Sequence, residues 1–242
     1  MRIHRFIGDF DFSGHIVEIG NERMVRQITR VLRLKAGEEV ILGDGKGREY
    51  TAEIKKIDPK KIYLLIRKEN GSAHEAGKNQ VLLYCAILKR ENFELVVQKA
   101  TEIGVTEIVP ILTERTVKKR IRPERLADIA REASEQSGRR FISKIREQIL
   151  FSQAFDEIEK GDIAILYDPL GAELPKDMVK KAEHIRIFIG PEGGWSEKEK
   201  SMAQEKGALI FRLGTRILRS ETAAIVGLYL ILHSFESENP VE

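Results

Sequence analysis

Residues 81–88, Val81-Leu82-Leu83-Tyr84-Cys85-Ala86-Ile87-Leu88, form an unbroken apolar run, the pattern of a strand buried on both faces. From there the pattern alternates. Helical periodicity over 91–103 and 123–137 flanks a strand-like stretch at 108–112. Further strands are expected at 145–150, 163–167, 185–189 and 208–213, separated by helical stretches. That alternation predicts an α/β unit with a mostly parallel sheet covered on both faces. A closing helix over 221–235 is apolar on most sides and should be buried, either in its own domain or against a second subunit.

The amino-terminal pattern is different. Short strands are expected at 2–6, 15–19 and 61–67, with a hairpin of 39–42 and 49–57 around the glycine-rich turn 43–47. One helix is expected from Asn21 to about Leu34, with Met24, Ile28, Val31 and Leu32 on its apolar face. The polar, glycine-bearing stretch 70–79 reads as a linker, which divides the chain into domains 1–72 and 73–242.

Composition narrows the classes. A 242-residue chain that is 42% hydrophobic can bury a sizeable core, and it contains no apolar run of the ~18 residues needed to span a bilayer. The amino terminus has no apolar signal core, and Cys85 is the one cysteine, so a reducing, cytoplasmic setting is expected. The five histidines lack metal-ligand spacing, and no metal is expected. Net charge is only +3, but residues 1–70 hold 15 Lys and Arg against 11 Asp and Glu. Arg23, Arg26, Arg30 and Arg33 would share one face of the first helix. A solvated helix face accounts for such a stripe, and so do contacts to a phosphate backbone.

Two segments carry the candidate chemistry. Ile189-Gly190-Pro191-Glu192-Gly193-Gly194 and Leu213-Gly214-Thr215-Arg216-Ile217-Leu218-Arg219-Ser220-Glu221-Thr222-Ala223 each end a strand-like run and open a helical one. Ligands of α/β sheets sit beyond the carboxyl ends of parallel strands, where glycines let main-chain groups approach. The dinucleotide fingerprint, the Walker sequence and the serine-hydrolase elbow are all missing from the chain. A ligand read by amides, carbonyls and aliphatic side chains fits better, with Leu213, Ile217 and Leu218 walling a slot suited to an adenine ring. Arg219 and Glu221 are also explained by an ion pair that merely holds the second loop.

In these segments the chain resembles the ribosomal small subunit methyltransferase E family. Arg30-Val31-Leu32-Arg33-Leu34-Lys35, Gln98-Lys99-Ala100-Thr101-Glu102-Ile103-Gly104-Val105, Glu114-Arg115-Thr116 and Glu135-Gln136-Ser137-Gly138-Arg139 extend the likeness over almost the full length. Small departures are Trp195, Ser220 and the lack of a proline in residues 141–144. The resemblance implies a PUA-like β-barrel that binds RNA, followed by a SPOUT domain with a carboxy-terminal trefoil knot. It also implies a homodimer that uses S-adenosylmethionine to methylate N3 of a uridine in 16S rRNA of the small ribosomal subunit. Cofactor contacts are then expected from Gly190, Gly193, Gly194, Leu213, Gly214, Ile217, Leu218, Thr222 and Ala223. RNA contacts fall to Arg23, Arg26, Arg30 and Arg33. Uracil N3 must lose a proton, so Glu192 is the expected base, with Arg219 or Arg139 stabilising the charge that develops on the ring. The same scaffold also suits methylation of a ribose hydroxyl or another base, and a non-catalytic RNA-binding protein is the rival of a different class.

Overall fold

The computed structural model describes residues 3–72, 80–89, 91–117, 120–175, 178, 182 and 184–236. The chain divides into two compact units, Met1–Ala76 with Ser134–Ile142, and Gly77–Ala133 with Ser143–Glu242. By compactness 134–142 groups with the first unit, although it lies beyond the expected boundary after residue 72. Of the expected linker, Asn70, Gly71 and Ser72 are strand, and residues 73–79 lie outside the described residues.

In the first unit a five-stranded sheet runs in the order β1 (His4–Ile7), β3 (Glu39–Gly43), β4 (Arg48–Ile57), β5 (Ile62–Ser72), β2 (Ile16–Ile19). Only the β1–β3 pair is parallel. Phe6, Val17, Ile19, Val40, Leu42, Ile54 and Leu64 fill its core together with Met24 and Ile28.

The helix after β2 is not the continuous α-helix that the periodicity predicts. Asn21 caps α1 (Glu22–Arg26) by accepting the Met24 N–H at 3.1 Å, but Gln27–Val31 is a π-turn. Leu32 N–H donates to Gln27 O at 2.9 Å, five residues back. The wider turn takes up roughly one extra residue, so later side chains rotate off the α-helical register. Val31, expected inside, is 70% exposed. Arg33 follows at φ 56, a left-handed conformation that ends the helix and removes this side chain from the stripe.

The segment 134–142 belongs to the first unit through specific bonds. Ile7 N–H donates to the buried carboxylate of Glu135 at 2.9 Å. Arg140 Nε lies 3.1 Å from Glu49, whose other oxygen accepts Arg5 Nε at 2.6 Å. Arg140 also donates to the carbonyls of Asn70 and Gly71, both at 3.2 Å. Gly45, at φ 70, leaves room for Ile142, which a Cβ would meet at 2.8 Å.

The second unit holds a seven-stranded sheet in which every pair is parallel. Its order is β12 (Leu209–Arg212), β10 (Ile163–Glu173), β11 (His184–Ile189), β6 (Gln80–Ala86), β7 (Glu107–Leu112), β8 (Lys144–Ile145), with β9 (Ile149–Leu150) also on β7. The expected strand 145–150 is thus two short pieces. Along β6, Val81–Ala86 is buried throughout, as the apolar run requires. On one face Tyr84, Phe151, Phe155 and Phe188 make an aromatic core, with Tyr84 stacked on Phe188 at 4.7 Å. The helices are α2 (Asn92–Ile103), α3 (Pro123–Ser137), α4 (Glu197–Glu205) and α5 (Ser220–Glu236). The helix α5 packs on α2, β11 and β6 through Ala224, Leu228 and Ile231 while Tyr229 and Leu230 face outward, so it is buried along one side only. No described helix is long and apolar enough to cross a membrane.

Candidate functional site

Because β6, β10, β11 and β12 run parallel and are neighbours, the loops that leave their carboxyl ends emerge on the same edge of the sheet. They enclose a cavity of about 560 Å³. Ile189, Gly190, Pro191, Glu192, Gly194 and Trp195 come from the β11 loop. Leu213, Arg216, Ile217, Leu218 and Arg219 come from the β12 loop, and Ser220, Glu221 and Ala223 from the start of α5. The two segments singled out in the sequence therefore line one site.

Local bonds hold the first loop in shape. Ser196 and Glu199 form a reciprocal capping box at the start of α4, worth about 1 kcal/mol. The other Glu199 oxygen accepts Glu114 N–H at 2.9 Å. Trp195 Nε1 donates to Tyr167 O at 3.0 Å, tying the loop to β10. Its ring lies so close under Gly190 that a Cβ there would sit 3.0 Å from it. Glu192 Oε1 accepts the Lys89 backbone N–H at 2.7 Å, which joins the β11 loop to the β6–α2 connection.

Not every expected residue reaches the cavity. Gly193 is not among the lining residues, and its carbonyl accepts Arg115 Nη1 at 2.8 Å, which gives the Glu114-Arg115-Thr116 motif a structural role. Gly214 serves the turn out of β12 at φ 84, and Thr222 is exposed; neither lines the cavity. Arg139 does not line it either and belongs to the first unit. Conversely, Lys89, Asn92, Tyr167, Asp168 and Pro169 line the cavity without having been expected there. Lys89 and Asn92 follow the apolar run of β6, whereas Tyr167, Asp168 and Pro169 lie within β10 and reach the cavity because β10 sits between β11 and β12.

The ionisable groups divide sharply. Burial, then the charges of Glu192 and Glu221, pushes the Cys85 thiol up, so it stays protonated. Burial likewise pushes the Tyr167 phenol up, and its hydroxyl has no hydrogen-bond partner. The side chains of Arg219 and Glu221 have no hydrogen-bond or ion-pair partner among the described residues, so the architectural pair is not formed.

A second concavity lies within the first unit. Arg23, Arg26, Thr29 and Arg30 face Pro59 and Lys60 of the β4–β5 turn around a groove of about 510 Å³, with Glu22 its one acid. Arg33 is absent from it, for the reason that its left-handed backbone gives.

Comparison with known proteins identifies relatives of both units. A family model described as an RNA methyltransferase domain matches residues 75–232, and one described as an RNA methyltransferase PUA domain matches 28–67. The chain is 33% identical over 219 residues to the ribosomal RNA small subunit methyltransferase E of Synechocystis, an alignment covering 87% of this chain and 71% of that protein. It is 28% identical to the protein of that name from Rickettsia conorii, with 88% and 87% covered. Its fold matches the crystal structure of ribosomal RNA small subunit methyltransferase E from Neisseria gonorrhoeae bound to S-adenosyl methionine. The TM-score is 0.86 at 30% identity, over 94% of this chain and 95% of that one.

Proposed function

The chain belongs to the ribosomal RNA small subunit methyltransferase E family, and from that membership we propose that it methylates N3 of a uridine in 16S rRNA, using S-adenosylmethionine bound in the strand-end cavity. The observation that carries this reading is the convergence of the β11 and β12 loops on one cavity beside an unpaired Arg219 and a tethered Glu192. About 560 Å³ lies within the usual range for small-molecule sites. Aliphatic Ile189, Leu213, Ile217 and Leu218 offer an apolar slot, and Gly190 leaves its main chain uncovered, so the residues present suit the cofactor.

When bound, the cofactor supplies an electrophilic methyl carbon on a sulfonium. The remaining demand is on the uracil, whose N3 is protonated at neutral pH. Glu192 accepts that proton: one of its oxygens is held by Lys89 N–H, which fixes the carboxylate in place and leaves the second oxygen for the substrate. Arg219, rather than Arg139, stabilises the charge spreading to the uracil oxygens. The trefoil knot, the small-subunit setting, a cytoplasmic site of action and a homodimer complete the reading. Exposed Ile217, Tyr229 and Leu230 support pairing with a second copy.

The decisive experiment offers labelled S-adenosylmethionine and unmodified small ribosomal subunits, with the product nucleoside identified by mass spectrometry. N3-methyluridine is expected. A 2′-O-methylated nucleoside, or label on another base, would overturn the assignment.

RNA is gripped through phosphates at the basic groove of the first unit. Arg26→Ala and Arg30→Ala should each flatten the dependence of log K on log salt by about 0.7–1, as for one lost phosphate contact. Arg33→Ala should leave the slope unchanged. Equal effects of all three would restore the simple helical stripe.

A further inference from the structure

Glu221 stands out among the acidic residues of the cavity wall. It is 9% exposed, lines the cavity wall, and receives no hydrogen bond or ion pair among the described residues. A carboxylate on a cavity wall whose oxygens are taken up by no protein donor is free to meet a cation entering the cavity. The cations that line the same cavity, Lys89, Arg216 and Arg219, make no salt bridge with it. By contrast Glu192, the other carboxylate of the β11 and β12 loops in this wall, is exposed and already accepts a backbone N–H.

The position of Glu221 is set by its chain rather than by a bond to its side chain. It lies in the first turn of α5, where Ala223 N–H donates to Arg219 O at 2.8 Å. Its charge acts on Cys85, near the carboxyl end of β6. A carboxylate with unused lone pairs on the wall of a ligand cavity is complementary to a cation that arrives with the ligand.

We propose that Glu221 recognises a cationic centre of the methyl donor, supplying the counter-charge that the protein itself does not provide. This rests on the reading of the cavity as the S-adenosylmethionine site. That molecule carries two positive centres, the α-ammonium and the sulfonium; S-adenosylhomocysteine keeps only the ammonium.

Isothermal titration calorimetry on the full chain separates the cases without using turnover. Glu221→Gln keeps the shape and removes the charge, and should weaken S-adenosylmethionine binding about ten- to a hundred-fold, the scale of a lost charge-assisted bond. An equal loss for S-adenosylhomocysteine assigns the contact to the ammonium. A loss confined to S-adenosylmethionine assigns it to the sulfonium. Affinities within about two-fold of wild type for both ligands overturn the proposal. Ligand-free melting provides the control: because no protein partner is lost, Glu221→Gln should melt at or above the wild-type temperature. A lowered melting temperature with unchanged affinity identifies a structural role and likewise overturns it. Wild-type protein that binds neither ligand overturns the cofactor reading itself, a failure distinct from that of Glu221 alone.

Discussion

Glu192→Gln is expected to slow methyl transfer by about 10²–10⁴-fold in a single turnover at saturating cofactor and RNA, the range for losing a positioned general base. The substitution is informative because of the bond between Glu192 Oε1 and Lys89 N–H at 2.7 Å. A glutamine carbonyl accepts the same N–H, so the β11 loop stays joined to the β6–α2 connection while the group that takes the proton is removed. Cofactor affinity should therefore change by less than about two-fold. Rapid-quench measurement of label transfer, with binding measured in parallel, tests both halves. Full activity would exclude Glu192 as the base, leaving positioning and the cavity cations to account for the rate. A joint loss of affinity and rate would instead indicate collapse of the loop.

The largest expected effect on stability comes from Glu49→Ala. This carboxylate is 2% exposed and bridges Arg5 and Arg140, which are themselves largely covered. Removing the shared acid leaves two guanidinium groups facing each other without a counter-charge, at a cost of about 3 kcal/mol. The loss should fall on the first unit, since Arg140 also holds the Asn70 and Gly71 carbonyls through the segment that follows α3. Hydrogen exchange resolves this: amides of β1, β3 and β4 should lose protection while those of β6 and β11 keep theirs. Uniform loss across both units, or none, would refute the bridging role.

Glu192 and Glu49 differ in how far the sequence marks them. Glu192 could be singled out because a lone carboxylate among glycines and a proline, after a buried strand, has few structural uses. Glu49 sits in an ordinary alternating strand, and nothing local marks it as the anchor of residues some ninety positions later. The same contrast applies to the Glu135-Gln136-Ser137-Gly138-Arg139 stretch. Its resemblance to a family motif makes Arg139 a candidate for the catalytic set, and by contacts the segment groups with the first unit, where the Glu135 carboxylate accepts the Ile7 N–H. A motif marks constrained residues, and only contacts tell whether the constraint is chemical or architectural.

The arginine stripe illustrates a second limit. Spacing alone placed Arg23, Arg26, Arg30 and Arg33 together, on the assumption of 3.6 residues per turn. A π-turn over Gln27–Val31 breaks that period, turning Val31 outward and releasing Arg33, while it leaves Arg26 and Arg30 opposite Lys60. Ile28, inside this turn, is fully buried in the core of the first unit, so the turn is packed by strands that lie elsewhere in the chain.

From the linear pattern came the parallel α/β architecture, the buried β6 strand with its inert cysteine, and the pairing of the two glycine-bearing loops. Each rests on interactions local enough to be encoded in periodicity: strand burial repeats every residue or every second residue, and capping acts over one turn. Tertiary structure alone decided that β10 lies between β11 and β12, bringing Tyr167 and Asp168 to the site, and that residues 134–142 join the first unit. It also decided that Arg219 and Glu221 stand apart and unpaired. Strand order and the company kept by a buried charge depend on segments far apart in the chain, whose meeting is fixed by packing the whole and by no short stretch of residues.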